Sequence, residues 1–267
     1  MTARDTNRAS PWFFRPRPAP DASHRLICFP CAGYSAAMFR TWPAGLPAHV
    51  ELVAVQPPGR ATRFAEPAFE SIPALVADLL SALSAITDKP YALFGHSMGA
   101  VVAAYAAAAL AEAGAPAPLR LFLSARQPPD RPSPVPPVSH LSDDAFVEEL
   151  QTRYGGIPEE ILREPDMMAL LLPTLRADIR ALEATEGESP VPLPAPITAF
   201  GGVADRLVPA DLLEGWAGWT AHGFDMRLFP GGHFYLEPSE RALLAHIAAS
   251  LGVGRPAPAT AAPGRTP

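Results

Sequence analysis

Residues 91–106 read Tyr-Ala-Leu-Phe-Gly-His-Ser-Met-Gly-Ala-Val-Val-Ala-Ala-Tyr-Ala, and this stretch decides the fold. The apolar run Tyr91–Phe94 predicts a buried strand, and the alanine-rich run from Met98 predicts a helix. Between them lies Gly-x-Ser-x-Gly, with Ser97 at its centre. In a strand–turn–helix setting this pattern is typical of a nucleophile elbow, whose glycines permit a turn too tight for a side chain at either position. We therefore expect Ser97 to be a nucleophile that attacks an acyl group.

The rest of the chain alternates short apolar runs with longer helical patterns. Near-continuous apolar runs are expected of parallel strands covered on both faces, and alternation with helices indicates βαβ units. We predict the α/β class, with a mostly parallel central sheet flanked by helices. The candidate strands are Arg25–Phe29, Glu51–Val55, Tyr91–Phe94, Leu119–Ser124, Pro196–Phe200 and Phe224–Phe229. The candidate helices are Ile72–Ile86, Met98–Ala113, Ala210–Trp219 and Ser239–Leu251.

A serine hydroxyl is a poor nucleophile at its free pKa, so it needs a base, and the base needs an orienting acid. On the α/β-hydrolase fold the acid and then the histidine follow the serine along the chain. Asp205 lies in the loop after the fifth candidate strand, and His233 lies just beyond the sixth. We predict a triad of Ser97, Asp205 and His233.

Other acids and histidines fit less well. Asp211 lies inside the next helical run, while Asp205 has the alternative role of a loop-capping carboxylate. His96 is adjacent to Ser97 and cannot curl back onto its hydroxyl, so we expect a structural role for it.

Attack on an acyl group creates a negative oxygen, which needs preorganised donors. One donor is expected to be the backbone N–H of Met98, at the start of the helix after the nucleophile. The other is expected in the loop after an early strand, where Ala32 is the candidate.

Proline clusters divide the chain. We expect flexible tails at 1–22 and 255–267 and one α/β-hydrolase domain over 23–254. Within it, residues 139–188 show helical spacing and no convincing strand, which predicts a helical lid over the active site. The alternative is that these residues complete the core.

The composition excludes some function classes. Net charge is −6 with no basic stripe, so we expect no nucleic-acid partner. We find no secretory h-region and no apolar run long enough to span a bilayer, so we expect a cytoplasmic protein without membrane attachment. No cofactor or metal is expected, since Cys28 and Cys31 lack a second ligand pair for zinc. A redox dithiol at these cysteines is an open alternative to simple packing.

Five motifs in order resemble the type II thioesterases, which accompany modular polyketide and nonribosomal peptide synthases. The resemblance runs from about Arg25 to Leu251. The motifs are Phe29-Pro30-Cys31-Ala32-Gly33, Pro58-Gly59-Arg60, the serine pentapeptide, Leu175-Arg-Ala-Asp178 and Gly231-Gly232-His233-Phe234. Two positions depart from the family pattern: it usually has His, Phe or Tyr at Cys31 and often a glycine at Tyr34. After Asp178, residues 181–185 also differ.

The resemblance implies an editing thioesterase that clears stalled acyl groups from the phosphopantetheine arm of an acyl or peptidyl carrier protein. It implies the triad given above, the Ala32 and Met98 donors and a mobile lid. We expect a monomer. Arg60 and Arg63 either meet the acidic carrier protein or anchor a loop.

Two rival functions are open. In the first, the chain is another serine ester hydrolase or a product-releasing thioesterase on the same fold. The triad does not separate these activities, because specificity depends on the pocket and the lid. Alternatively it is a binding protein that has lost catalysis.

Overall fold

A computed structural model describes residues 10–189 and 191–252 of the chain. The strands are β1 (Phe13–Phe14), β2 (His24–Phe29), β3 (Val50–Val55), β4 (Tyr91–His96), β5 (Leu121–Ser124), β6 (Ile197–Gly202) and β7 (Phe224–Phe229). The α-helices are α1 (Ile72–Ser84), α2 (Met98–Glu112), α3 (Asp143–Tyr154), α4 (Glu159–Leu162), α5 (Pro165–Glu183), α6 (Ala210–Leu213) and α7 (Leu236–Ser250). Among the described helices, none is long and apolar enough to cross a membrane.

The seven strands form one sheet in the order β1-β3-β2-β4-β5-β6-β7. Every neighbouring pair is parallel except β1 with β3. From β2 the chain first moves outward to β3 and then returns to place β4 on the other side of β2. Such a reversal leaves a crevice at the carboxyl ends of the two central strands, where α/β proteins bind ligands. The α/β prediction is confirmed.

Apolar residues cover both faces of the sheet. One cluster packs α1 and α2 against one face, and a second packs α7 against the other. All six residues of β3 and all six residues of β4 are buried, which explains why these strands read as nearly continuous apolar runs.

The N-terminal prediction is wrong over residues 10–22. Trp12 is buried, and Phe13 and Phe14 pair with Val55 and Ala54. The aromatic side chains gain burial that a flexible tail does not offer. The predicted tail at 255–267 and residues 1–9 lie outside the described residues.

Two helix predictions differ from the structure. The run predicted as one helix over 210–219 is α6 followed by a tighter 3₁₀ segment, Glu214–Trp219, which contains two glycines that favour helices poorly. Helix α7 begins at Leu236, before the predicted start at Ser239, because Pro238 is tolerated in a first helical turn.

The helical insertion between β5 and β6 comprises α3, α4 and α5, as the spacing predicts. It has a small apolar core of its own, formed by Val138, Phe146, Leu150, Leu175 and Ile179. The insertion lies against the carboxyl edge of the sheet, where its residues line a cavity together with the loops after β2 and β7.

Candidate active site

The cavity at the carboxyl edge has a volume of about 400 Å³. Three of the predicted site residues line it: Ala32, Ser97 and His233. Asp205 lies behind His233, and the Met98 side chain is buried in the core. Most of the wall is apolar and comes from the helical insertion, through Leu150, Ile157, Ile161, Leu171, Leu175, Ile179 and Leu182.

Ser97 occupies a strained turn between β4 and α2. Its backbone has φ +53° and ψ −119°, a region that non-glycine residues rarely adopt and that costs about 1–3 kcal/mol. The N–H of Ser97 donates to the carbonyl of Ser124 at the end of β5, over 2.8 Å. The side chain lines the cavity, as the nucleophile prediction requires.

The flanking glycines supply space for this turn. A Cβ on Gly95 would lie 1.9 Å from the carbonyl oxygen of Gly99, and a Cβ on Gly99 would lie 2.2 Å from that of Phe29. Real Cβ atoms do not approach other atoms so closely, so neither position accepts a side chain. The positive φ belongs to the serine and not to these two glycines, since neither is among the residues with positive φ.

His233 and Asp205 are paired. His233 Nδ1 lies 2.9 Å from Asp205 Oδ2, and both side chains are almost fully buried. The loops that carry them follow adjacent strands, β6 and β7, and cross closely: a Cβ on Gly202 would lie 2.3 Å from the carbonyl oxygen of Gly232. This close crossing brings the imidazole within hydrogen-bond distance of the carboxylate.

The surroundings of Asp205 keep its carboxyl ionised. Burial alone raises its pKa, but the hydrogen bond and charge of His233 and the N–H groups of Leu207 and Val208 more than offset this and lower the pKa below its ordinary value. An ionised carboxylate only accepts hydrogen bonds, so Nδ1 of His233 is the donor. Nε2 of a neutral imidazole is then left as an acceptor, as a general base requires.

Two backbone N–H groups are available near Ser97. Within the described residues, neither the N–H of Ala32 nor that of Met98 donates to another protein group. Met98 is the first residue of α2, where N–H groups point outward and the helix dipole favours negative charge. The Ala32 loop follows β2, whose Phe29 is in register with Gly95 of β4. Both donors thus lie at the ends of neighbouring strands.

Comparison with known proteins identifies the family. The Thioesterase domain family matches residues 24–251 of the chain. The chain is a member of the thioesterase family. This confirms the predicted resemblance and the hydrolase class, and family members hydrolyse thioesters.

Relatives of this thioesterase come from biosynthetic pathways. The gramicidin S biosynthesis protein GrsT of Aneurinibacillus migulanus is 32% identical over 245 residues, covering 92% of this chain and 95% of that protein. Thioesterase PikA5 of Streptomyces venezuelae is 35% identical over 260 residues, covering 97% and 92%. The solved structure of the type II thioesterase BorB, from the borrelidin biosynthetic cluster, has a TM-score of 0.82 at 36% identity, covering 90% of this chain and 98% of BorB.

A buried polar chain lies beneath the site of this thioesterase. His96 Nδ1 lies 2.8 Å from Ser124 Oγ, which lies 2.6 Å from the phenol oxygen of Tyr235. Burial, and then the neighbouring His233, lower the pKa of His96 well below its ordinary value, so this imidazole is neutral. The expected structural role of His96 is confirmed by these contacts. Only the adjacency of His96 to Ser97 and of Tyr235 to the His233 motif hinted at this network.

The helical insertion contacts the histidine directly. The Tyr154 ring, at the end of α3, lies 4.8 Å from the His233 imidazole, centroid to centroid. The Phe234 ring meets the same imidazole edge to face, with the ring centroids 5.3 Å apart. Sequence reasoning did not single out Tyr154, because no local pattern distinguishes it from any other residue at the end of a helix.

Arg60 and Arg63 are buried and paired within the protein, which confirms the loop-anchoring interpretation. Both terminal nitrogens of Arg60 donate to Asp178 on α5, each over 2.8 Å. Arg63 pairs with Glu66 and lies 4.0 Å above the ring of Trp12.

The two cysteines are free and buried. Burial raises the pKa of both thiols, so neither is a thiolate at neutral pH. Because the thiolate is the reactive form, these environments disfavour the redox alternative. Cys31 nevertheless lines the cavity, which makes it a useful internal control for the nucleophile.

Proposed function

We propose that this thioesterase hydrolyses acyl groups held as thioesters on the phosphopantetheine arm of an acyl or peptidyl carrier protein. In this role it removes stalled or aberrant acyl units during polyketide or nonribosomal peptide synthesis. The observation that carries the proposal is the Asp205–His233 pair at one wall of an apolar cavity that Ser97 also lines. The biosynthetic relatives supply the pathway context.

In the first half-reaction Ser97 Oγ attacks the thioester carbonyl carbon while His233 Nε2 takes the hydroxyl proton. The carbonyl oxygen becomes an oxyanion, which accepts hydrogen bonds from the N–H groups of Ala32 and Met98. When the tetrahedral intermediate collapses, the carbon–sulfur bond breaks. The pantetheine sulfur leaves as a thiol with the proton from His233, and the acyl group stays on Ser97.

In the second half-reaction a water molecule gives a proton to His233 and adds to the acyl-serine ester. Collapse returns the proton to Ser97 Oγ and releases the free acid. Asp205 orients the imidazole in both halves and stabilises its charged form.

The cavity wall supports an acyl substrate with hydrocarbon character. Seven leucine and isoleucine side chains from the insertion and its flanks line the volume next to Ser97. Burial of an acyl chain against them contributes binding free energy of roughly 25 cal/mol per Å² of apolar surface. This binding is available to the substrate whether the leaving group is a thiol or an alcohol, so the cavity alone does not distinguish a thioester from an ester.

Competition between matched substrates tests the proposal. We would measure kcat/KM for one acyl chain presented on a carrier protein, on free pantetheine and as an ethyl ester, with Ser97→Ala as the control. We expect the carrier-bound thioester to be hydrolysed fastest and Ser97→Ala to be inactive on all three. A preference for the ethyl ester would instead support a general ester hydrolase. Equal kcat/KM values for the carrier-bound and the free pantetheine thioester would show that the enzyme does not recognise the carrier protein.

The proposal also takes the enzyme to be a cytoplasmic monomer without membrane attachment or nucleic-acid binding. Sedimentation equilibrium tests the monomeric state, cell fractionation tests the location and the lack of membrane attachment, and a gel-shift assay tests the lack of nucleic-acid binding.

A further inference from the structure

Three strong hydrogen bonds converge on the carboxylate of Asp178 in α5. Oδ2 accepts from the backbone N–H of Gly33 and from Arg60 Nη1, and Oδ1 accepts from Arg60 Nη2, each over 2.8 Å. Asp178 is only 5% exposed. The helical insertion is thereby joined to two loops that lie more than 100 residues earlier in the chain.

The same face of α5 makes two further contacts with these loops. Thr174 donates its hydroxyl to the carbonyl of Gly59 over 2.8 Å. A Cβ on Gly33 would lie 2.9 Å from Cδ1 of Leu175, so the loop runs as close to the helix as a glycine allows. Gly33 has φ +76°, a conformation that glycine adopts without strain.

Gly33 directly follows Ala32, whose N–H is one of the two proposed oxyanion donors. The N–H of Tyr34 donates to the carbonyl of Cys31 over 3.1 Å, which closes residues 31–34 into a turn. With the turn closed and the Gly33 N–H held by Asp178, the peptide planes on both sides of Ala32 have little freedom to rotate. A donor lowers a barrier most when its direction is set before the oxyanion forms.

We propose that Asp178 is a positioning residue for the oxyanion hole, which acts through the Gly33 N–H to fix the direction of the Ala32 N–H. Arg60 holds the carboxylate in the rotamer that meets Gly33. This inference rests on the proposed function, because it assumes that Ala32 is an oxyanion donor. It makes the helical insertion a part of the reaction site as well as its cover.

Substitution distinguishes an ion pair that only stabilises the fold from one that also positions the oxyanion donor, because only the second affects kcat. The test variant is Asp178→Ala, which removes the acceptor of the Gly33 N–H, and the matched control is Glu51→Ala. Glu51 is an equally buried carboxylate that pairs with Arg25 over 2.9 Å, at the opposite edge of the sheet. Both substitutions remove one charge from a buried arginine pair, so both are expected to lower Tm.

Only Asp178→Ala is expected to change the chemistry. We expect kcat to fall about 10- to 100-fold, somewhat less than for direct loss of an oxyanion donor, with KM nearly unchanged. Ser97 Oγ adds to the carbonyl of an alkyl trifluoromethyl ketone and forms a stable oxyanion. The affinity of Asp178→Ala for this ketone is expected to fall by the same factor as its kcat/KM. The shape of the pH profile should stay the same, because the His233–Asp205 pair is untouched.

The proposal is overturned if Asp178→Ala, like Glu51→Ala, has a lower Tm but keeps its kcat and its affinity for the ketone. Should Asp178→Ala not fold, Arg60→Lys keeps a positive charge beside the carboxylate but breaks the two-point contact. A loss of ketone affinity in proportion to kcat/KM then supports the proposal, and unchanged ketone affinity overturns it.

The labelling rate of Ser97 by a fluorophosphonate separates this inference from the proposed function, because labelling needs no thioester. If the wild type hydrolyses no carrier-bound thioester but labelling still slows in Asp178→Ala, the substrate assignment fails while the positioning role stands. If hydrolysis is normal and labelling does not slow, the positioning role fails alone.

Discussion

The phenol of Tyr34 donates a 2.7 Å hydrogen bond to the carbonyl oxygen of Gly156, joining the loop after β2 to the turn between α3 and α4. Both residues line the cavity. The Tyr34 ring also packs on Phe234, and a Cβ on Gly156 would lie 2.3 Å from that same phenyl ring. The turn of the insertion therefore rests on the residue next to His233.

Tyr34→Phe is expected to loosen the insertion while keeping the ring contact. Loss of one neutral hydrogen bond costs about 1 kcal/mol, so opening of the turn should become about fivefold more frequent. We would measure hydrogen–deuterium exchange in peptides covering residues 150–164, and faster exchange is expected.

The control for this substitution is Tyr91→Phe, whose phenol makes the same kind of bond to the carbonyl of Pro116 over 2.6 Å, away from the cavity. Exchange in residues 150–164 should match the wild type in this control. Equal exchange in both variants would show that the Tyr34 bond does not restrain the insertion.

Asp205→Asn is expected to lower kcat on the order of ten-thousandfold without loss of the fold. The N–H groups of Leu207 and Val208 donate to Oδ1, so they hold the amide oxygen of the variant in that place. Its NH₂ group then faces His233 Nδ1, which must become an acceptor and leave the proton on Nε2. That tautomer cannot take a proton from Ser97. Steady-state kinetics and circular dichroism together check the expectation.

Asp211→Asn is the control for this substitution, because Asp211 lies in the first turn of α6 and has no place in the proposed triad. Its kcat should lie within about twofold of the wild type. A large loss of kcat in Asp211→Asn with little loss in Asp205→Asn would show that Asp205 is not the acid of the triad.

The lowered pKa of Asp205 also predicts a pH-dependent contribution to stability. A carboxyl whose pKa is lowered on folding stabilises the folded state above its unfolded pKa, near 3.8, and loses this contribution as the pH falls through the folded pKa. Urea unfolding of the wild type and of Asp205→Asn is the measurement. The difference in free energy of unfolding should be constant above about pH 5 and shrink below about pH 4. A difference that grows on acidification contradicts the assigned direction.

Gly95→Ala is expected to destabilise the fold by more than about 3 kcal/mol, because the added methyl group would collide with the backbone of Gly99. Urea unfolding measures this loss. In Gly218→Ala the added Cβ has no neighbour within 4 Å, so stability should change by no more than about 0.5 kcal/mol. Equal stability of the two variants would mean that the turn at Ser97 is looser than the structure has it.

The sheet and the loops of the site were predictable from the sequence because local pattern determines them. Each buried parallel strand reads as an apolar run, and the residues that end β4, β6 and β7 must meet at one edge of the sheet. Ser97, Asp205 and His233 could be selected on this basis before any coordinates were known, although their catalytic roles remain proposals.

Features that depend on distant contacts could not be predicted. Strand β1 has two residues beside a proline cluster, and only its pairing with β3 makes it a strand. The contacts of Tyr154 with His233 and of Asp178 with Gly33 join segments 79 and 145 residues apart, and no periodicity in the chain reports them. Asp178 and its partners Gly33 and Arg60 all lie in family motifs, but nothing in those motifs indicates that they contact one another.

Location of the acyl group on the enzyme tests the central claim most directly. The thioesterase would be mixed with a carrier protein bearing an acyl-phosphopantetheine thioester, quenched in acid within milliseconds, digested and examined by mass spectrometry. The account predicts that the acyl mass appears on the peptide containing Ser97, and that Ser97→Ala shows neither the adduct nor turnover. An adduct on the Cys31 peptide, or normal turnover by Ser97→Ala, would contradict it.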